Sequence, residues 1–402
     1  MKIESLELNN FKAFKNAKMD NISRFCVIVG ANGTGKSTIF SVFSFLHEAM
    51  IGDVSTALNQ LGGLRGFQDV RSRGSEDPIK ITIKFRSPKV KNKSGSNPLI
   101  TYILEIDERP TTGQAFIKQE TLQYRRGRKG QPWKFLDFSK GSGNAVTNEL
   151  EQVNDDTELV RETQKLKSDD ILAIKGLAQF EKFPAVVALG ALIEKWHISD
   201  LHIDKARPEK EVSYAEHLSQ EGDNLSIVIQ YLYKNYRPNF NKIIDTLKDR
   251  IPGLSQIESK VTEEGRVLLK FQDGAFEDPF LARNVSDGTI KMLAYLVLLH
   301  DPNPHPLLCI EEPENQLYHS LLEELAEEFR EYANRGEQVF VSTHSPDFLN
   351  AVNLDEVFWL EKQEGYTSIV KASEDSQIAE YMKNGDKMGY LWKQGFFGKI
   401  AP

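Results

Sequence analysis

The segment Gly30-Ala31-Asn32-Gly33-Thr34-Gly35-Lys36-Ser37-Thr38 has the residue types and spacing to hold phosphate. Glycine lets a backbone turn back and aim several N–H groups at one point. An apolar, helix-like stretch (residues 39–50) follows, and a helix start adds its positive dipole end. Gly30-x4-Gly35-Lys36-Ser37 satisfies the phosphate-loop pattern in full. In that pattern the lysine reaches the β- and γ-phosphates and the serine offers its hydroxyl to Mg²⁺. Asn32, Gly33, Thr34, Gly35 and Thr38 complete the cradle. The implied cofactors are ATP, or a similar triphosphate, and Mg²⁺.

Three further groups fit the same chemistry. Ser286-Asp287-Gly288 opens an apolar helical stretch (292–299), so a hydroxyl, a small backbone and a helix N-terminus all face an anion. Glu311 and Glu312 follow a four-residue apolar run, 307–310. They stand at the C-terminal end of a buried strand, where α/β sheets place their ligands. His344 ends a second strand-like run, 338–343. The pair His197 and His202, five apart without cysteine partners, lacks the pattern of a metal site.

The elements that must position these groups are legible in outline. Residues 2–8 alternate apolar and polar, as a half-buried strand does, and an apolar run from Phe25 leads into the phosphate loop. Residues 39–60 read as a helix. Strand signals at 79–85, 99–106, 115–124 and 133–138, separated by Lys/Gly/Ser/Asn/Pro turns, describe an antiparallel β lobe. Residues 140–180 read as a polar loop leading into exposed helices, and 183–250 as helical segments broken near 204–211. Two strands (256–261 and 267–271), a helix (321–334) and closing strands near 357 and 367 complete the chain. The basic run Arg125-Arg126-Gly127-Arg128-Lys129 reads as a hairpin tip, either solvated or facing nucleic-acid phosphates. The aromatic segment 388–398 is expected to dock on the core or to meet a partner.

"Leu-Asn-Asn-Phe-Lys-Ala-Phe", then about a dozen residues, then "Val-Ile-Val-Gly-Ala-Asn-Gly-Thr-Gly-Lys-Ser-Thr" resembles the opening of RecF/SMC-type ATP-binding-cassette ATPases. Ser-Asp-Gly at 286–288, Glu-Glu-Pro-Glu at 311–314 and Ser-Thr-His-Ser-Pro at 342–346 follow in that family's order. The likeness spans residues 1–370. Long heptad repeats are missing, so it resembles short, coiled-coil-free bacterial AAA-family members with an OLD/RecF-like head. The resemblance implies that Glu311, an aspartate in most relatives, holds Mg²⁺ through water, and that Glu312 polarises the attacking water. His344 would sense the γ-phosphate. Gln68, in a loop after the first helix, would help to hold Mg²⁺. The loop at Phe11–Phe14 would lie near the base, and Ser286, Asp287 and Gly288 would close over a triphosphate held by a second copy. Where relatives continue Leu-His-Pro, this chain has Leu317-Tyr318-His319.

The expected fold is an α/β P-loop NTPase of the ABC type, with an antiparallel β lobe and an inserted helical lobe. Its parts would be 1–140 (phosphate loop and β lobe), 141–253 (helical insert) and 254–402 (signature, carboxylates and histidine). The chain has 402 residues, 40% hydrophobic and 27% charged, ample for a packed core. Net charge is −8. The first 130 residues hold 21 Lys/Arg against 12 Asp/Glu, the other 272 hold 29 against 46, so any DNA contact is confined to one face. Apolar runs are too short for a membrane span, and no secretory leader is read at the start. Cys26 and Cys309 read as core thiols of a cytoplasmic protein.

The function expected is an ATPase that dimerises head-to-head on ATP. It would be the ATPase subunit of an anti-phage defence system with a separate nuclease or TOPRIM-type effector. A RecF-like DNA-repair ATPase is the alternative, and a transporter ATPase is less favoured. Only 58 residues follow His344, without an Asp-x-Asp constellation, so no intrinsic nuclease is expected.

Overall fold

The computed structural model describes residues 1–92, 95–127, 130–149, 151 and 155–398. The chain divides into two compact units, Met1–Trp196 with Asn353–Pro402, and His197–Val352. The boundaries expected at 140/141 and 253/254 fall inside these units.

The first unit is built on an eight-stranded antiparallel sheet. Its strands Ile79–Arg86, Ile100–Glu108 and Ala115–Tyr124 bury alternate side chains, as a one-sided sheet requires. Two further strands, Ser142–Val146 and Arg161–Lys165, extend the sheet through residues read from sequence as loop. Arg161–Lys165 has no fully buried residue, so the apolar alternation that marks a strand is missing there.

The strand Phe25–Val29 is buried throughout and runs parallel to Val357–Gln363, which pairs antiparallel with Tyr366–Lys371. Burial on both faces explains its unbroken Phe-Cys-Val-Ile-Val. The helix Lys36–Ile51 packs on Pro184–Lys195, where Phe43 meets Trp196 edge-on at 5.1 Å. Gly190 permits this approach, since a Cβ there would lie 3.1 Å from Met50 Cε. The helix stops at Gly52, and Asp53 caps a new one, Val54–Gly62, by accepting from Thr56 N–H at 2.7 Å. The single helix expected over 39–60 is therefore two.

In the second unit, His197–Ser199, Leu307–Glu311 and Gln338–Thr343 form a parallel array. An antiparallel pair, Leu254–Val261 and Arg266–Asp273, lies against helices Leu225–Asn235 and Arg237–Arg250. The helix Asp287–Leu299 is almost wholly buried, and Ser320–Asn334 buries one apolar face. Residues 141–253, expected as a helical lobe, contribute helices to both units. Both cysteines are buried and neither forms a disulfide. Among the described residues no helix is long and apolar enough to cross a membrane.

Candidate functional site

The phosphate loop joins strand Phe25–Val29 to helix Lys36–Ile51. Gly33 (φ 76°) and Gly35 (φ 103°) take left-handed conformations, which glycine adopts without strain. A Cβ at Gly30 would sit 2.4 Å from Thr34 Oγ1, and one at Gly35 would press on the Phe14 ring at 3.3 Å. The loop is braced from within by Thr34 Oγ1, which donates to Ala31 O at 2.8 Å. Thr367 Oγ1 braces it from outside, donating to Thr34 O at 2.7 Å. Asn32, Gly33 and Ser37 face solvent, and Thr38 is half-buried. Lys36 is buried, and its ammonium donates to Gly30 O at 2.8 Å across the turn. The loop thus keeps a buried cation over a cradle of backbone, a fit for an anionic triphosphate.

A cavity of about 530 Å³ adjoins the loop, lined by Ala31, Asn32, Thr34, Leu360, Trp392 and Phe397. The aromatic tail segment is docked, with Trp392 and Phe397 buried. Phe11 and Phe14 are fully buried core residues, Phe11 lying 6.4 Å from the Phe45 ring.

Gln68 is exposed on the short helix Phe67–Val70. Its Nε2 donates to Glu108 Oε2 at 3.3 Å, and Arg71 also holds Glu108, at 3.0 Å. Of the basic run, Arg128 and Lys129 lie outside the described residues. Arg126 corrects the reading of a solvent-facing tip. It is buried, donates to Glu151 O at 2.6 Å and lies over the Phe135 ring, which removes it from any exposed phosphate-binding surface.

In the second unit, Ser286 caps the helix Asp287–Leu299, its hydroxyl accepting from Thr289 N–H at 3.2 Å. Gly288 is buried, and a Cβ on it would meet Gln316 O at 3.3 Å. Asp287 is paired with Arg207. The same guanidinium donates to Ala282 O at 2.7 Å and to Val285 O at 2.6 Å, so one side chain pins the whole turn. Sequence reasoning missed Arg207, which lies in a polar break and has no motif.

Glu311 ends its strand half-buried. Glu312 takes φ 39°, a left-handed conformation that strains a non-glycine residue. Its N–H donates to Ser342 O at 3.0 Å, and its Oε2 accepts from Asn315 Nδ2 at 3.3 Å. His344 Nδ1 lies 3.3 Å from Glu312 Oε1 and 3.3 Å from Glu314 Oε1. Glu314 Oε1 also accepts from Thr343 Oγ1 at 2.8 Å and from His344 N–H at 2.9 Å. The structure therefore joins two sequence-predicted residues, Glu312 and His344, and adds Glu314 as the group that orients the histidine. The run Glu-Glu-Pro-Glu held the signal for it. Lys291 is buried, and desolvation pushes its ammonium below the usual lysine range against the pull of Asp200, Glu314 and Glu312. His319 is exposed and pairs with Asp347 at 2.8 Å.

A glycine-braced phosphate loop, a capped Ser-Asp-Gly helix and a carboxylate–histidine cluster on this α/β framework define an SMC/RecF-like ABC-type ATPase head. An SMC head crystallised with the C-winged helix domain of ScpA is similar over 92% of this chain and 98% of its own, at 14% identity and a TM-score of 0.55. SMC heads from Thermotoga maritima (14% identity, TM-score 0.46, 92% of this chain and 99% of that one) and Pyrococcus furiosus (13%, 0.47, 95% and 99%) are more distant in shape. The chain belongs to the family described as "AAA domain, putative AbiEii toxin, Type IV TA system", which matches residues 25–350. A second AAA-domain family matches residues 1–47. No curated protein sequence matches it. It is an AAA-type ATPase domain, and its likeness to SMC heads is one of fold.

Proposed function

We propose that this chain is an ATP-hydrolysing switch that pairs head-to-head with a second copy and drives a separate effector in a bacterial anti-phage defence system. ATP with Mg²⁺ supplies the transferable phosphoryl group and the neutralising cation. Lys36 would exchange the Gly30 carbonyl for the β- and γ-phosphates, while Asn32, Gly33, Thr34, Gly35 and Thr38 cradle them. Ser37 and Glu311 would hold the cation. Gln68 would join them on leaving Glu108. Glu312 orients the attacking water and takes up its proton. His344, held by Glu314, donates toward the γ-phosphate. Ser286, Asp287 and Gly288 would come from the second copy. Positioning and charge neutralisation account for most of such catalysis.

The observation that carries this reading is Glu312. A left-handed glutamate held on Ser342 O and flanked by Asn315 and His344 is strain kept at one carboxylate. The defence setting is supported by the family's description, which names a toxin of a type IV toxin–antitoxin system. The effector would be a nuclease or a TOPRIM-type protein.

The test is turnover and mass of the Glu312→Gln variant. The variant is expected to bind ATP, to lose on the order of 100-fold or more in kcat, and to accumulate as an ATP-bound dimer. Wild-type turnover, or an ATP-bound monomer, overturns the proposal. Co-purification of this trapped dimer with the product of an adjacent reading frame tests the defence assignment.

A further inference from the structure

At the end of strand Leu307–Glu311 opposite the carboxylates, three ligating side chains converge. Asp301 and His305 lie on the connection between helix Asp287–Leu299 and that strand. His217 comes from the loop ahead of helix Leu225–Asn235. One ligand atom from each lies within 4.8 Å of the other two. The Asp301 side chain is 5% exposed, its Oδ1 accepting from Asn303 N–H at 2.8 Å and its Oδ2 lying 2.6 Å from His217 Nδ1. The His305 ring centres 4.9 Å from that of His217 and stacks on His197 at 4.7 Å. The backbone of both histidines is fixed. Tyr332 Oη donates to His305 O at 2.7 Å, and Asn224 Nδ2 donates to His217 O at 3.0 Å.

A His–Asp ion pair accounts for one imidazole and one carboxylate. The His305 imidazole, further along the connection that carries Asp301, is brought to the same point and adds a second nitrogen to the set. Two imidazole nitrogens and a carboxylate oxygen are a ligand set that zinc takes, with water in the fourth position. Bonds of about 2.0–2.1 Å put tetrahedral ligand atoms roughly 3.3 Å apart. The His217–Asp301 pair, at 2.6 Å, would open toward that spacing, and the movement is freest at His217, whose side chain is 41% exposed.

We propose that His217, Asp301 and His305 bind one divalent transition-metal ion, zinc by the chemistry of the set. The ion takes the place of the hydrogen bond between His217 Nδ1 and Asp301 Oδ2, and a proton on the coordinating nitrogen moves to Nε2 or leaves to solvent. The five residues of the strand, about 17 Å long, separate this position from Glu311. The ion therefore stands apart from the phosphoryl chemistry at Glu311: it clips the 212–224 loop to the connection between the signature helix and the carboxylate strand. It is distinct from the pair His197 and His202, since His202 turns to Asp200 at 3.3 Å.

The test uses the full chain, stripped with a chelator and titrated with Zn²⁺ without nucleotide. One equivalent per chain is expected by elemental analysis, with a rise in Tm and a tetrahedral visible spectrum when Co²⁺ replaces Zn²⁺. His217→Gln, at a half-exposed position that tolerates replacement, is expected to weaken binding on the order of 100-fold. His305→Gln is expected to do the same, and Glu311→Gln is expected to leave it unchanged. Absence of stoichiometric binding by the wild-type chain overturns the proposal. So does binding that survives in both histidine variants, or that is lost in Glu311→Gln.

Discussion

Glu314 holds His344 at two points: its Oε1 accepts the histidine's backbone N–H at 2.9 Å and lies 3.3 Å from its Nδ1. The Glu314 side chain is only 9% exposed, so this is a fixed bracket and not a mobile surface pair. The bracket sets the ring beside Glu312.

Glu314→Ala is therefore expected to lower kcat for ATP by roughly 10-fold or more while leaving KM within about 2-fold, because ring orientation acts in the transition state. Glu314→Gln, which keeps an acceptor for the backbone N–H, is expected to recover part of that loss. A rise in KM at constant kcat would place Glu314 in ground-state binding instead.

Lys36 rests on the Gly30 carbonyl at 2.8 Å. A nucleotide must outcompete that hydrogen bond, and the gain comes from replacing a neutral oxygen by charged ones. Lys36→Met is expected to weaken ATP binding by roughly 10- to 100-fold, from about 1.5–3 kcal/mol for a charged hydrogen bond. The variant should stay folded. Titration with a fluorescent ATP analogue, with thermal melting as the control, checks both.

Arg207 is the tie that keeps the Ser-Asp-Gly turn in shape, through Asp287 and the carbonyls of Ala282 and Val285. Its side chain is 18% exposed, so truncation strands two backbone acceptors with little access to water. Arg207→Ala is expected to leave ATP binding by the monomer within about 2-fold, since Lys36 and Ser37 are untouched. It should weaken ATP-dependent dimerisation by roughly 10-fold, seen as a shift in the concentration dependence of molecular mass. Equal loss in both assays would mean that the substitution unfolds the turn more widely.

The parts of this molecule legible in its sequence are those where burial or chemistry leaves little choice of residue. The strands 307–311 and 338–343 carry unbroken apolar runs, Leu307–Ile310 and Val339–Val341, because parallel strands are covered on both faces. The phosphate loop is legible because glycine alone takes Gly33 and Gly35 at positive φ without strain. What stayed hidden depends on long-range partners. Arg126, Arg207, Glu120 and Glu149 look like surface charge in the sequence, yet each is bonded to backbone atoms or a tyrosine far along the chain. The edge strand Arg161–Lys165 is polar along its length, and His217 meets Asp301 across 84 residues. No local pattern encodes such meetings.

Two of those carboxylates make stability depend on pH. Glu120 is buried, accepting Ala173 N–H at 2.5 Å, Ile174 N–H at 3.0 Å and Tyr102 Oη–H at 3.1 Å. Glu149 is buried against Ala185 N–H at 3.2 Å and Tyr124 Oη–H at 3.0 Å. Each joins the β sheet to the start of a helix. Desolvation outweighs these hydrogen bonds and pushes both carboxyls from 4.5 up to about 7. In the folded chain they keep their protons to higher pH than in the unfolded chain, so the unfolded state binds fewer protons between pH 4.5 and 7. Stability then falls as pH rises through that window, by about 1.4 kcal/mol per pH unit for each group. Below the window both states are protonated, and above it the cost stays constant. Glu120→Gln and Glu149→Gln, which stay neutral, are expected to flatten that fall, each removing its own share. Urea unfolding midpoints at pH 5 and pH 7.5 for the wild type and both variants check this. A wild-type curve whose fall is unchanged in both variants would assign the pH dependence to other groups and leave Glu120 and Glu149 ionised in the fold.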